Sequence, residues 1–207
     1  MPLDPGTLEQ ATRHLRRRDP VLRTVIKRVG PVTMKLERNR FQALVRSIIA
    51  QQISGKAARS IWKRLHTAVK PRRLTPEVIA GIPIDQLRSL GLSSQKASYV
   101  HDLAARVADG QVRLSRAHRM TDDEVVDELV TVKGIGEWTA HMFLIFSLGR
   151  LDVLPHGDFG VRAAIRNLYG LPDLPNREQS VAIAQPWRPY ASIAAWYCWR
   201  SLDNGAQ

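Results

Sequence analysis

Apolar residues recur along this chain at the three- and four-residue spacing of an α-helix, as in Phe41, Leu44, Val45 and Ile48 and then Ala57, Ile61 and Leu65. Sustained alternation with a period of two is hard to find, so the pattern predicts an all-α fold of about ten helices. Ser54, Thr75, Ser94, Thr121 and Asn176 each precede a periodic segment, and their short polar side chains suit the cap of a helix start. Thr121 with Glu124 and Asn176 with Gln179 have the spacing of a capping box. Gly91, Gly110, Gly149 and Gly170 fall where the segments end, and glycine readily takes the left-handed conformation that closes a last turn. No long repeat, low-complexity tract or Ser/Gly linker interrupts the pattern, so a single compact unit with lobes that share helices is expected.

The length of 207 residues and the hydrophobic content of 44% allow one core or two small lobes. The longest apolar stretches, such as Met142 to Leu148, fall far short of the roughly 20 residues that span a bilayer, so no membrane helix is expected. The N-terminal MPLDPGTLEQ has neither the basic start nor the apolar run of a secretory signal, which points to a cytoplasmic, nucleoid-associated protein. One cysteine, Cys198, excludes an internal disulfide and any all-cysteine zinc or iron–sulfur site, and is read as a small buried hydrophobe. The formal net charge of +12 is unevenly placed: residues 1–73 hold 18 Lys/Arg against 4 Asp/Glu, and the remainder 13 against 15. A basic field of that kind favours a polyanion, nucleic acid above all, over a face that is charged only for solubility.

Two segments carry the candidate chemistry. In Val130-Thr-Val-Lys-Gly-Ile-Gly-Glu-Trp-Thr-Ala140 two glycines flank an isoleucine between helical segments. Either this is a simple packing turn, or Gly134 and Gly136 allow a phosphate to approach the backbone and the next helix's N-terminus. In Leu154-Pro-His-Gly-Asp158-Phe-Gly-Val-Arg162 a Pro/Gly turn delivers an aspartate to a helix start. Asp158 is there either as an N-cap, worth about 1 kcal/mol, or as a reactive carboxylate. His141 and His156 have no third ligand in register in the sequence, which makes a weak metal case, and polar loop or core roles suit them better.

Taken together, the two segments resemble the helix-hairpin-helix, Gly/Pro-rich loop and aspartate signature of the DNA glycosylase superfamily that includes endonuclease III. Within it, three further segments are similar to the 3-methyladenine DNA glycosylase II, or alkylbase glycosylase, branch. They are Arg46-Ser-Ile-Ile-Ala-Gln-Gln-Ile-Ser54 with Lys56-Ala-Ala58, Leu90-Gly-Leu-Ser-Ser-Gln-Lys-Ala-Ser-Tyr99, and Gln185-Pro-Trp-Arg-Pro-Tyr-Ala191 with Trp196. The resemblance covers residues 40–200. It implies a two-lobed helix-hairpin-helix glycosylase fold with the active-site cleft between the lobes. The expected lobes are 30–115, carrying a DNA wedge, and 116–200 with the N-terminal helices, carrying the hairpin and aspartate. It also implies the compact form, without the extra N-terminal β-domain of larger members.

The same resemblance assigns roles. Asp158 is the implied catalytic carboxylate; Trp138, Trp196, Tyr197 and Met142 are the implied base pocket; Gln52 and Ile53 the wedge. Lys133, Gly134, Gly136, Ser54 and Lys56 would hold DNA phosphates, and a monovalent cation would sit on the backbone carbonyls of Val130, Val132 and Ile135. No cofactor is required by the implied chemistry, and a single cysteine leaves no iron–sulfur cluster. Trp62, Trp187 and Trp199 are read as core. Departures from the pattern matter: Trp138 stands where bifunctional relatives carry a Schiff-base lysine, Gln52 where some relatives carry an apolar wedge, and Met142 where one has a pocket tyrosine. The expected function is a monofunctional glycosylase, a monomer, that releases alkylated purines from double-stranded DNA. A non-catalytic helix-hairpin-helix binding protein and a bifunctional oxidised-base lyase are the alternatives, disfavoured by Asp158 and by Trp138 respectively.

Overall fold

The computed structural model describes residues 3–203. Among them twelve α-helices follow one another and no strand forms. They are α1 (Pro5–Arg18), α2 (Pro20–Val29), α3 (Arg40–Ala50), α4 (Gly55–Val69), α5 (Pro76–Ala80), α6 (Ile84–Ser89), α7 (Ser94–Ala108), α8 (Asp122–Val130), α9 (Glu137–Phe143), α10 (Phe159–Tyr169), α11 (Arg177–Ala184) and α12 (Ala191–Asp203). The all-α expectation holds, and the surplus over about ten comes from α5 and α6, which at five and six residues are too short for periodicity to register. None of the helices is long and apolar enough to cross a membrane.

The helix starts follow from their side chains. Ser54, Thr75, Thr121 and Asn176 each accept the amide N–H three residues on, and both expected capping boxes close. At α7 the cap is Ser93, which accepts the Lys96 N–H at 3.2 Å, and not Ser94. Of two adjacent serines, only the one with extended backbone can turn its hydroxyl back on the helix. Gly170 ends α10 with φ +67°, in the left-handed conformation expected of it.

The chain divides into two compact units, 37–143 and the segments flanking it, 3–36 and 144–203. In the flanking unit α12 is the centre. Residues 191–198 are all buried, and a helix apolar on every side must be surrounded by protein. It packs on α10, α2 and α1, and Cys198 is fully buried as expected. One polar residue organises this core. Asp19, 4% exposed, caps α2 by accepting the Val21 and Leu22 N–H groups at 2.9 and 3.0 Å. Its other oxygen accepts the Tyr169 hydroxyl and the Trp187 indole N–H. The end of α10 and the residues that lead into α12 are thereby tied back to the junction of α1 and α2.

In the 37–143 unit α7 is the hub, packed on α3, α5 and α6. The expected boundary near residue 115 is corrected here: the hairpin groups with the wedge segment, and not with the aspartate. The reason is a set of specific contacts. The Gln51 amide donates to the Gly134 carbonyl at 2.9 Å, Asp102 accepts the Lys133 N–H at 2.9 Å, and Arg113 pairs with Glu128 at 2.9 Å. Trp62, expected in the core, is half-buried instead, with the Arg46 guanidinium 4.5 Å over its ring.

The Asp19 cluster predicts its own cost. Asp19→Ala removes a cap, takes the acceptor from the Tyr169 hydroxyl and leaves the buried Trp187 N–H only its longer bond to the Tyr169 oxygen at 3.3 Å, for a loss of about 3 kcal/mol or more. Tyr169→Phe, which removes one donor and keeps the carboxylate's other partners, should cost about 1 kcal/mol. Urea unfolding midpoints measure both. An Asp19→Ala midpoint equal to that of the wild type would show that the cluster holds nothing together.

Candidate active site

Asp158 is set in place by the turn before it. The His156 N–H donates to the Leu154 carbonyl and the Asp158 N–H to that of Pro155, at 2.9 and 2.8 Å, so the chain reverses tightly and α10 begins at the next residue. Asp158 is the N-cap, its Oδ1 accepting the Val161 N–H at 2.8 Å. The capping role therefore exists. It does not exhaust the residue, because the same Oδ1 accepts the indole N–H of Trp199 at 2.8 Å, and the side chain is only half-buried. Asp152, the other acidic residue of this stretch, is committed elsewhere: it accepts the Ala191 N–H at 3.2 Å and pairs with Arg188 at 3.3 Å.

Sequence reasoning placed Trp199 in the core and missed this bond. The signal was the spacing of Trp196 and Trp199, three apart and so on one side of α12. Phe159, next to Asp158, was also missed; it is 70% exposed.

The four residues expected to line a base pocket belong to both units. Trp196 lies in the unit that holds Asp158, 6% exposed, with the Arg200 guanidinium 5.6 Å over its ring. Tyr197 corrects the expectation. It is fully buried, donates its hydroxyl to the Gly30 carbonyl at 3.0 Å, and burial raises its pKa. One residue along a helix is a turn of about 100°, so Tyr197 faces the interior beside α1 and α2 and is a core residue. In the other unit Trp138 is 44% exposed at the start of α9, and Met142 is half-buried.

The 37–143 unit brings the expected wedge and phosphate residues together. Residues 51–54 connect α3 to α4, with Gln52 and Ile53 exposed. Gln52 has φ +54°, a conformation that costs a non-glycine residue about 1 kcal/mol or more. The loop is held from below by Lys96, whose ammonium donates to the carbonyls of Ile49 and Gln51 and whose pKa burial lowers. Ser54 caps α4, and Lys56, Arg59 and Lys63 continue along the exposed side of that helix. The hairpin residues Lys133 and Gly136 are exposed as well. Among the described residues neither the Gly134 nor the Gly136 N–H has an acceptor.

The comparison with known proteins decides the family. The model described as HhH-GPD superfamily base excision DNA repair protein matches residues 45–189. The chain belongs to this HhH-GPD superfamily. It is 30% identical, over 93% of its own length and 92% of the relative's, to the alkylbase DNA glycosidase-like protein mag2 of Schizosaccharomyces pombe. Among solved structures, the 3-methyladenine DNA glycosylase of the same yeast in complex with abasic DNA superposes with a TM-score of 0.82 at 30% identity, over 94% of this chain and 97% of that one. The DNA-3-methyladenine glycosidase of Bacillus halodurans superposes with a TM-score of 0.86 at 33% identity, over 95% and 90%.

Within this HhH-GPD chain the two hairpin glycines have different jobs. Gly134 has φ +79°, and a Cβ there would stand 2.0 Å from Cδ2 of Tyr99. No other residue fits against that ring. Gly136 has open space around its missing Cβ, so what it spares is the approach to the backbone. Gly134→Ala should therefore lower Tm by roughly 10 °C through ring overlap and strain. Gly136→Ala should stay within about 2 °C of wild type while binding duplex DNA more weakly. Thermal unfolding and anisotropy titrations separate them; equal losses of Tm would refute this division.

Proposed function

We propose that this HhH-GPD protein is a monofunctional DNA glycosylase of base excision repair that flips alkylated purines, such as 3-methyladenine and 7-methylguanine, out of duplex DNA and releases them by hydrolysis. The observation that carries this reading is Asp158, a half-buried carboxylate at a helix start whose Oδ1 takes two N–H donors. The relatives named above supply the substrate class.

Rotating a nucleotide out of the stack costs a few kcal/mol, least for a damaged base. Gln52 and Ile53, exposed on a loop anchored by Lys96 and Ser54, are the side chains to fill the vacated space. An N3- or N7-alkylated purine is cationic and leaves as a neutral base when the C1′–N bond breaks with its electron pair. The sugar then carries developing positive charge, which the Asp158 carboxylate stabilises. Water adds to C1′, its proton passes to Asp158 or to solvent, and the products are free base and an abasic site. Trp138, 44% exposed, offers an aromatic face to a cationic base, a contact worth about 0.5–2 kcal/mol.

Trp138 also supports the monofunctional assignment, since an indole cannot form a Schiff base. Lys133 is no substitute, because it stands on the exposed hairpin with its amide on Asp102. A monovalent cation on the carbonyls of Val130, Val132 and Ile135 would sit in the turn that follows α8, where the Val132 carbonyl also accepts the Ile135 N–H at 3.1 Å. The side chains of Val132 and Ile135 are buried, so only backbone oxygens would hold it. Its role would be to fix the hairpin, and the place of work is the nucleoid, where the DNA is.

Asp158→Asn keeps size and capping ability and loses the charge. Base release from methylated DNA in single turnover should fall by about 10²-fold or more with the fold intact. The wild-type product should be an abasic site cut only by hot alkali. Excision by the variant within about threefold of wild type, or a covalent adduct trapped by borohydride, would overturn the mechanism. Binding to duplex DNA should also weaken steeply with salt. Each of Lys56→Ala, Arg59→Ala and Lys63→Ala that removes a phosphate contact should flatten the log–log slope by about 1; unchanged slopes would take α4 out of the DNA interface.

A further inference from the structure

We propose that Trp199 is a positioning residue for Asp158, its indole N–H fixing the plane of the carboxylate, and that Gly160 exists to let it reach. The inference rests on the reading of Asp158 as the catalytic carboxylate. An N-cap aspartate held only by a backbone amide can still turn about that one bond. Here a second donor arrives from another helix: Trp199 Nε1 lies 2.8 Å from Asp158 Oδ1, which also accepts the Val161 N–H at 2.8 Å. Two donors on one oxygen set the orientation of the whole group.

The choice of donor suits the reaction. An indole N–H donates and cannot accept, and it is neutral. An arginine or lysine in its place would orient the carboxylate equally well and would also cancel the charge that the sugar cation needs. Trp199 is itself held. It is half-buried, and the Phe146 ring lies 5.6 Å from it at a tilt of 32°.

Gly160 is the independent observation. It is the second residue of α10, where glycine is a poor helix former. Yet a Cβ at this position would stand 3.0 Å from Trp199 Cδ1, 3.3 Å from Trp199 Nε1 and 3.1 Å from Asp158 Oδ1. Any other residue pushes on the indole and the carboxylate together. The Asp-Phe-Gly run of residues 158–160 thus encodes a reactive carboxylate and the space for its second donor.

The test is single-turnover excision from methylated DNA, with affinity for a duplex carrying a stable abasic-site analogue measured alongside. Trp199→Phe keeps an aromatic ring and loses the donor. It should slow excision by about 10- to 100-fold, with affinity for the analogue within about threefold of wild type. Trp199→His places Nε2–H where the indole N–H was and should restore most of the rate. Gly160→Ala, which favours the helix, should slow excision to a similar extent without lowering Tm. In an Asp158→Asn background Trp199→Phe should cause no further loss. Trp199→Phe at the wild-type rate, a histidine variant as slow as the phenylalanine one, or an additive loss with Asp158→Asn would each overturn the role of Trp199 while leaving Asp158 in place. If Trp199→Phe fails to fold, Gly160→Ala and Trp199→His decide the matter. An active Asp158→Asn variant would instead remove the catalytic reading itself.

Discussion

Helix α10 is held by a carboxylate at each end, and the unit that contains it is arranged around those two ties. At its start Asp158 accepts from Val161 and from Trp199. At its end the Tyr169 hydroxyl donates to Asp19, which also takes the Trp187 indole N–H. Both ties cross to other elements, one to α12 and one to the turn that joins α1 to α2. Cys198 stands between them on α12, and its thiol pKa is pushed up, first by complete burial and then by the fields of Asp19 and Asp158. That thiol is packing material. Taking polar groups out of water is costly unless they find donors; here the donors are indoles, a phenol and helix amides, none of which brings a charge of its own.

The other unit solves a different problem, how to hold two exposed segments, the 51–54 loop and the hairpin, in fixed relation. Its device is the spacing along α7. Lys96, Tyr99 and Asp102 are three residues apart and therefore share a side of the helix. Lys96 holds the carbonyls at the end of α3, Tyr99 fills the space left by Gly134, and Asp102 takes the Lys133 amide and the Arg106 guanidinium. The Gln51 amide closes the set by reaching the Gly134 carbonyl. Wedge loop and hairpin are thereby fixed to one rigid element. This also explains why the hairpin does not group with the aspartate, as chain order suggested.

Local signals were the legible ones. Caps, capping boxes and the left-handed glycine that ends α10 depend on a few adjacent residues, and the sequence shows them directly; the single slip, Ser94 for Ser93, is within the one-residue softness of any helix start. The candidate aspartate and hairpin were legible for the same reason, as short turns with unusual composition. What was not legible was direction. From Ile193 to Trp199 α12 has no charged or small polar residue, so no polar side marks which way Trp196, Tyr197 and Trp199 point. A pocket wall was assigned to Tyr197, which faces the core, and a core place to Trp199, which reaches the aspartate. Gly134 and Gly136 likewise look equivalent in sequence, and only Tyr99, 35 residues upstream of Gly134, tells them apart.

The wedge loop shows how much order the fold spends on two exposed residues. Gln52 and Ile53 both face outward, and Gln52 sits at a φ of +54° that glycine or asparagine would adopt more easily. A loop free to relax would leave that conformation. This one is prevented by its ends: Lys96 grips the carbonyl of Gln51, the Gln51 amide is fixed on Gly134, and Ser54 is locked as the cap of α4. Only Gln52 and Ile53 lie between those anchors, and two residues between fixed points have few conformations open to them. In the proposed reaction that is the useful property, because a side chain that enters the base stack from an ordered loop loses little further entropy when it binds. The strain at Gln52 is then best understood as the cost of presenting that side chain in advance.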